Sequence, residues 1–228
     1  MKIKNLSLRI LSVLCCCILA TNVCWAGLPG GGTKDDPYLI SSYNDLILMA
    51  SWSNRGDSES GIKYNEAYYK LENDIVFFEG ESLTINEKIN SNVSSLIQSH
   101  NCIGTSQYPF NGTFDGNGKK LKKVYYEYDK SNSVPYVGLF GVIGKNAVIQ
   151  NVKIEDSYFY GNAIVGGICG YNNGGKIIGC SFSGVVNNDC KGFSSVIALG
   201  GICGYNCGTI EKCINSGYVN PSKNEVEC

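Results

Sequence analysis

Three cysteines near the end of the sequence, Cys203, Cys207 and Cys213, form the densest group of residues that could bind a metal ion. Structural zinc sites use close pairs of cysteine or histidine ligands. The close pair here, Cys203 and Cys207, is present in only one of two similar segments, and the only histidine, His100, lies far upstream. We therefore predict no metal centre and no bound cofactor.

Four cysteines have a spacing that indicates a different chemistry. Cys169 and Cys203, like Cys180 and Cys213, hold the same places in two copies of a repeated segment. If each copy forms one coil of a stack, equivalent Cα atoms lie roughly 5 Å apart, which is within reach of a disulfide. The alternative is a column of buried thiols, because free cysteine packs as a small hydrophobe. The other cysteines downstream of residue 26 have no partner imposed by the repeat: Cys102, Cys190, Cys207 and Cys228.

The acidic residues that could catalyse hydrolysis are scattered. Glycoside hydrolysis generally requires two carboxyl groups on either side of the scissile bond. Asp115, Asp129, Asp156 and Asp189 occur singly and share no register. We therefore predict that the protein is not an enzyme.

The segment "FNGTFDGNGKK", residues 110–120, places Asp115 and Asn117 where they could contact calcium or a sugar. A calcium loop needs further oxygen ligands and a distal carboxylate, which this segment lacks. Asp-Gly-Asn-Gly is typical of a tight turn between two strands. We predict the turn.

Tyrosines give the strongest indication of a binding surface. The candidates are Tyr125, Tyr126 and Tyr128 in "YYEY" and Tyr158 and Tyr160 in "YFY". Neighbouring side chains of a strand point to opposite faces, so some of these rings point outward. Exposed rings stack on sugars or anchor a protein partner. The alternative is a tyrosine ladder that packs on itself and shields the strands.

The first 26 residues are typical of a secretory signal peptide. Basic residues open the segment, an apolar run extends from Ile10 to Ala20, and small residues precede cleavage after Ala26. This run is too short to span a bilayer, and no later segment is long and apolar enough to do so. We predict a secreted protein, extracellular or at the cell surface.

The chain after residue 26 has 16 basic and 20 acidic residues, and Arg55 is its only arginine. Nucleic-acid binding depends on a basic face that displaces counterions. We therefore predict no nucleic-acid partner.

Glycines at fixed offsets reveal repeats 29 to 34 residues apart. The alignment that we predict matches Gly138 with Gly167 and Gly201, Gly141 with Gly170 and Gly204, Val148 with Ile177 and Ile210, and Asn151 with Cys180 and Cys213. Short apolar runs between glycines favour strands over helices. Repeats of this length stack on one another, which predicts parallel strand pairing in a β-solenoid. Ile210 and Cys213 face the same side only if the chain bends between them, which the sequence leaves open.

The two ends of this stack differ. Residues 42–52 form an amphipathic segment in which Ser42 and Asp45 resemble a capping pair, and we predict a helix that covers the first coil. After Val219 only the tail 220–228 follows. An uncovered last coil exposes strand edges, so we expect that self-association through this coil is possible.

Three segments resemble the GLUG repeats of bacterial surface and adhesin-like proteins: "YVGLFG", "VGGICGYNNGGKIIGCSFSG" and "LGGICGYNCGTIEKCINSG". The upstream segments "GGTKDDPYLISSYNDLILMA" and "IGTSQYPFNGTFDGNGKKLKKV" resemble those that lead into such repeats. The resemblance implies an all-β, right-handed parallel β-helix with a short N-terminal capping helix. The predicted organisation is a signal peptide (1–26), a strand, capping helix and loop (27–60), β-helix coils (61–219) with GLUG-like repeats at 137–161, 165–186 and 199–219, and the tail.

The function implied is that of a non-catalytic secreted or surface module whose rigid face binds a host or bacterial glycan or a surface protein. One alternative is a polysaccharide lyase or glycosidase on the same scaffold. Another is a truncated non-catalytic segment of a larger adhesin or immunoglobulin A peptidase-like protein. The peptidases need a zinc domain with an H-E-x-x-H helix, and a chain with one histidine does not supply it.

Overall fold

The computed structural model describes residues 27–56, 61–80, 102–127, 136–188 and 198–220. These residues are mostly β-strand, with one α-helix, α1 (Tyr43–Ser53), and a short 3-10 helix at Tyr64–Glu66. The predicted signal peptide and all of the predicted tail after Asn220 lie outside the described residues. The predicted domain boundaries therefore stay a prediction.

Nineteen short strands are found in the described residues. They are β1 (Tyr38–Ile40), β2 (Tyr68–Leu71), β3 (Ile75–Val76), β4 (Thr113–Asp115), β5 (Lys120–Lys122), β6 (Tyr125–Glu127), β7 (Tyr136–Val137), β8 (Phe140–Ile143), β9 (Val148–Gln150), β10 (Lys153–Gly161), β11 (Ile164–Gly166), β12 (Cys169–Asn172), β13 (Lys176–Ile178), β14 (Ser181–Asn188), β15 (Ala198–Gly200), β16 (Cys203–Asn206), β17 (Thr209–Glu211), β18 (Ile214–Asn215) and β19 (Tyr218–Asn220).

The strands form four sheets, and the pairing between named strands is parallel throughout. One sheet has the order β1-β2-β4-β9-β13-β17, and a second has the order β18-β14-β10-β5-β3, with β19 beside β14 and β6 beside β10. Two three-stranded sheets have the orders β15-β11-β7 and β16-β12-β8. The predicted parallel pairing is confirmed, because the strands of successive repeats occupy neighbouring places in each sheet.

The register corrects the predicted alignment of the first repeat by one residue. Ile149, and not Val148, is the Cα partner of Ile177. Lys153 pairs with Ser181, which places Val152 beside Cys180 and leaves Asn151 beside Gly179. The physical reason is burial, since Ile149 and Val152 are fully buried whereas Asn151 is exposed.

A bend in the backbone lets residues three apart face the same interior. Lys212 has a φ of 54°, and its equivalents Gly179 and Asn151 have φ values of 62° and 55°. This left-handed conformation is uncommon for residues other than glycine, and it breaks the alternation of an extended strand. Ile210 and Cys213 therefore face the same side: Ile210 pairs with the buried Ile177, and Cys213 packs against the main core.

Helix α1 begins with the predicted capping box. The Asp45 N–H donates to the Ser42 Oγ atom at 3.3 Å, and the Ser42 N–H donates to the Asp45 carboxylate at 2.9 Å. Such reciprocal bonds satisfy amide groups that have no partner inside the helix. Leu46 and Met49 are buried in the same hydrophobic cluster as β1 and β2, so the helix packs on the first strands of the chain.

The last repeat is the least covered part of the hydrophobic interior. Ile177 is fully buried, but its strand partner Ile210 is 38% exposed. Phe182 is also fully buried, and its partner in the last repeat is the exposed Asn215. Among the described residues, no strand lies beyond β17 or β18 in their sheets. Within the part of the chain that the structure describes, the side chains of this repeat therefore pack against a neighbouring repeat on one side but not on the other.

Two substitutions at strand partners test this difference in burial. We expect Ile177→Ala to lower the free energy of unfolding by about 2–5 kcal/mol, because it leaves a cavity in a packed interior. We expect Ile210→Ala to cost about 1 kcal/mol or less, because its side chain already contacts water. Urea unfolding of the full chain measures both. Equal losses would contradict this difference in burial.

Candidate ligand surface

The predicted tyrosine surface is wrong for Tyr125 and Tyr158. These residues are Cα partners on β6 and β10, and their exposed fractions are 2% and 4%. With Val185 they form a second hydrophobic cluster, against which Phe78 and Tyr160 pack. The rings do lie on the face opposite the main core, as alternation predicts, but this outer face is covered. Burial also raises the pKa of the Tyr158 hydroxyl.

The remaining predicted tyrosines differ from one another. Tyr126 points inward and packs against the main core, since it pairs with the buried Phe159. Tyr160 is half-buried and stacks on Tyr158 with a centroid separation of 6.2 Å and an interplanar angle of 13°. Tyr128 lies outside the described residues. The stacking of Tyr160 on Tyr158 corresponds to the shielding arrangement that the sequence left as an alternative.

A different row of tyrosines lies at the surface, and we call Tyr136, Tyr171 and Tyr205 the aromatic ladder. The rings of Tyr136 and Tyr171 are stacked at 5.2 Å, and those of Tyr171 and Tyr205 are tilted at 5.4 Å. Two of these residues stand in the same "GYN" triplet of consecutive repeats. That repetition is the feature of the sequence that indicates this row, whereas the prediction rested on the longer runs of tyrosine.

The aromatic ladder leaves one ring open. Tyr136 and Tyr171 are half-buried, whereas Tyr205 is 46% exposed. The Tyr171 hydroxyl donates to the Oδ1 atom of the exposed Asn173 at 3.2 Å. The ladder therefore offers an exposed aromatic ring, hydroxyl groups and a nearby amide, carried by the three strands β7, β12 and β16. This combination suits a ligand that has both apolar and hydroxyl faces.

An asparagine ladder fixes the backbone beside the tyrosines. The buried Asn172 donates from its Nδ2 atom to the Gly175 carbonyl at 3.1 Å and accepts from the Gly175 N–H at 2.7 Å. The same amide donates to the Oδ1 atom of Asn206 in the next repeat at 2.7 Å. Asn206 in turn holds the Gly208 backbone by two bonds of 3.1 and 3.2 Å. The turns after Tyr171 and Tyr205 are thus each held by a side-chain amide.

Asp115 is a structural carboxylate. Its Oδ1 atom accepts from the Asn117 N–H at 2.7 Å and from Asn151 at 3.1 Å, and its Oδ2 atom accepts from Gln150 at 2.9 Å. Partial burial raises its pKa, but these hydrogen bonds outweigh that effect and the pKa lies below its usual value. Positive φ angles at Asn117 and Gly118 confirm the predicted tight turn.

The two cysteine pairs lie together as the repeat predicts. Cys169 and Cys203 are Cα partners on β12 and β16, and the Cys180 N–H contacts the Cys213 Sγ atom at 3.4 Å. All six cysteines in the described residues are free thiols, and Cys207 is exposed whereas Cys102 is buried. Cys190 and Cys228 lie outside the described residues. Within the same part of the chain, no group of three or more His, Cys, Asp or Glu residues is placed to hold a metal ion.

The chain resembles parts of much longer proteins. It is 27% identical to Halomucin of Haloquadratum walsbyi over 169 residues, which cover 71% of this chain and 2% of Halomucin. It is 26% identical over 148 residues to a protein of Evansella cellulosilytica assigned as a Gly-rich membrane protein, covering 64% of this chain and 14% of that one. No family model matches the chain.

A solved structure also aligns with the chain. It is the crystal structure of a protein from Bacteroides ovatus assigned as an immunoglobulin A1 protease. The TM-score is 0.43 and the sequence identity is 15%, with 87% of this chain and 81% of that chain covered.

The asparagine ladder predicts a strong difference between its two members. We expect Asn172→Ala to lower the free energy of unfolding by about 2–3 kcal/mol, because buried donor and acceptor groups of Gly175 lose their partners. We expect Asn206→Ala to cost about 1 kcal/mol or less, because water replaces the bonds of an exposed residue. Chemical denaturation measures both variants, and a larger loss for Asn206→Ala would contradict the assignment.

The hydrogen bonds of Asp115 predict a pH-dependent contribution to stability. Because its folded-state pKa lies below that of the unfolded chain, about 3.9, its contribution is present above that value and is lost as pH falls through the folded-state pKa. We expect Asp115→Asn to lower the free energy of unfolding by about 1 kcal/mol at pH 7. The difference from the parent chain should shrink below about pH 4. Denaturant titrations across pH test this, with the exposed Asp35→Asn as control, and a difference that is independent of pH would be inconsistent with it.

Proposed function

We propose that this chain is a non-catalytic secreted or cell-surface module, a right-handed parallel β-helix of GLUG-type repeats that binds glycans through the aromatic ladder. Parallel pairing of consecutive repeats supports the architecture. Phe140, Cys169 and Cys203, for example, hold the same place in three neighbouring strands. In this proposal each repeat is one coil, and the right-handed winding follows from the resemblance to GLUG proteins.

The observation that carries the binding proposal is the exposed ring of Tyr205 at the end of the aromatic ladder. A sugar presents C–H groups on one face and hydroxyl groups around its edge. The open face of Tyr205 would pack on the C–H groups, and the exposed amide of Asn173, beside the Tyr171 hydroxyl, would hydrogen-bond the hydroxyls. Contact with the Tyr171 ring, at a centroid distance of 5.4 Å, holds the Tyr205 ring in place and lowers the entropy lost on binding.

Other observations support the location and the lack of catalysis. One relative is named as a membrane protein, and the first residues of this chain have the composition of a signal peptide. No helix in the described ranges is long and apolar enough to cross a membrane. The carboxylate of Asp115, a candidate acid, already accepts three hydrogen bonds that hold a turn. A role in display is consistent with these features, and self-association through the last repeat stays a prediction.

A glycan array probed with the chain from Gly27 onward tests the proposed function. We expect binding to a limited set of glycans and a loss of about fivefold in affinity for Tyr205→Ala, because an aromatic ring packed on a ligand contributes about 1 kcal/mol. Tyr205→Phe should retain most of the affinity, since the ring does the packing. The matched control is Tyr218→Ala, which removes another exposed tyrosine, from β19.

The outcomes separate the alternatives. Binding that is lost equally in Tyr205→Ala and Tyr218→Ala would show that the aromatic ladder is not the site. Failure to bind any glycan would overturn the proposed ligand class. Cleavage of a bound polysaccharide, measured by release of reducing ends, would favour the carbohydrate-active enzyme over the non-catalytic module.

A further inference from the structure

The strand register places Cys169 and Cys203 close enough to form a disulfide. They are directly opposed Cα partners on the parallel strands β12 and β16. Neighbouring strands lie about 4.8 Å apart, which falls within the Cα separation of 4.4–6.8 Å that a disulfide requires. The side chains also meet, because the two thiols form a hydrogen bond with each other.

The two thiols differ in access and in acidity. Cys169 is completely buried, and burial raises its pKa well above the usual value. Cys203 is only partly buried, and the hydrogen bond from Cys169 lowers its pKa. A thiolate is the form that attacks a disulfide, so Cys203 has the character of the first nucleophile. Cys169 has the position of the second thiol, which closes the bond.

The neighbouring pair provides a natural comparison. Cys180 and Cys213 lie on the same two repeats as the first pair, and the Cys213 Sγ atom accepts from the Cys180 N–H at 3.4 Å. Burial raises the pKa of Cys180 to about 12, and this sulfur also contacts the carbonyl oxygens of Ile149 and Ile178. The second pair therefore contains a buried thiol, Cys180, that resists ionisation.

We propose that Cys169 and Cys203 are a site of reversible oxidation, at which exchange with a small-molecule disulfide forms a covalent bond between the last repeat and the one before it. The Cys203 thiolate attacks one sulfur of the small disulfide, which forms a mixed disulfide and releases one small thiolate. Cys169 loses its proton and attacks the Cys203 sulfur, which forms the protein disulfide and releases the second small thiolate. The two cysteines are oxidised, and one small disulfide is reduced to two thiols.

The position of this bond gives it a structural effect. β16 is the outermost strand of its sheet in the described part of the chain, so it is held by main-chain bonds to β12 alone. Outer elements with few buried contacts open more readily than the rest of a protein. A bond from Cys203 to the buried Cys169 would tie this outermost strand to the interior, and reduction would release it.

Peptide mapping of the full chain tests the proposal. The protein is equilibrated with reduced and oxidised glutathione, remaining thiols are alkylated, and the chain is digested with trypsin. Cleavage after lysine places Cys169 in peptide 154–176 and Cys203 with Cys207 in peptide 192–212. We expect these two peptides to be linked as the oxidised fraction rises. The link should persist in Cys207→Ser and disappear in Cys203→Ser.

The competing outcomes have separate masses. A link between peptides 177–191 and 213–223 reports Cys213 joined to Cys180 or Cys190, and its appearance before the 154–176 link would overturn the choice of pair. Alkylated Cys169 together with an internal bond in peptide 192–212 would show that Cys203 pairs with Cys207 instead. A covalent dimer on a non-reducing gel would mean that the exchange takes place between molecules.

Hydrogen exchange gives a second measurement that does not depend on any variant. We expect amides of β16 and β17 to exchange several-fold more slowly in the oxidised protein than after reduction with dithiothreitol. Amides of β2 and β4, which lie three or more strands away from β17 in their sheet, serve as the internal control. Unchanged exchange at β16 and β17 in fully linked protein would refute the structural effect.

Discussion

Hydrogen bonding between parallel strands of consecutive repeats is the constraint on which the rest of the structure depends. Parallel pairing places equivalent residues directly beside one another, so each side chain must fit the same position in the repeats before and after it. Where one repeat has Ile154, the next has Phe182 and the last has Asn215. The contact of Tyr171 with Tyr205, the asparagine ladder and the cysteine pairs are all products of this register.

Much of the architecture could be predicted because its causes are local or periodic. The capping box of α1 depends on two residues three apart, and the parallel pairing depends on a repeat that can be recognised in the sequence. The one-residue error in the first repeat has a clear origin. The glycines of that copy align as predicted, because Phe140 pairs with Cys169. The turn that follows Ile143 is one residue longer than the turn that follows its partner Asn172, so the next strand is shifted by one residue. The burial of Ile149 and Val152 sets the register there.

The tyrosines show that alternation along a strand predicts the face on which a side chain lies but not its exposure to water. Alternation along a strand tells which side chains leave the main core, and Tyr125 and Tyr158 do leave it. Whether an outward ring meets water depends on other segments of the chain, and here Phe78 packs against that face. The tyrosines of the aromatic ladder were equally visible in the sequence, but their contacts join residues about one repeat apart. Contacts over that distance need the register before they can be predicted.

The left-handed residue that recurs in each repeat has a consequence for evolution. A glycine stands at this position in one repeat, but asparagine and lysine stand there in the others, and both pay a conformational cost that glycine does not. The backbone shape has therefore been kept while the side chain has changed. Duplication can spread such a shape through an array, because each new copy inherits a bend that already matches its neighbours. The side chains of Asn151 and Lys212 at the bend are exposed, so this position can carry different surface chemistry in each repeat without a new fold, as the hydrogen bond from Asn151 to Asp115 illustrates.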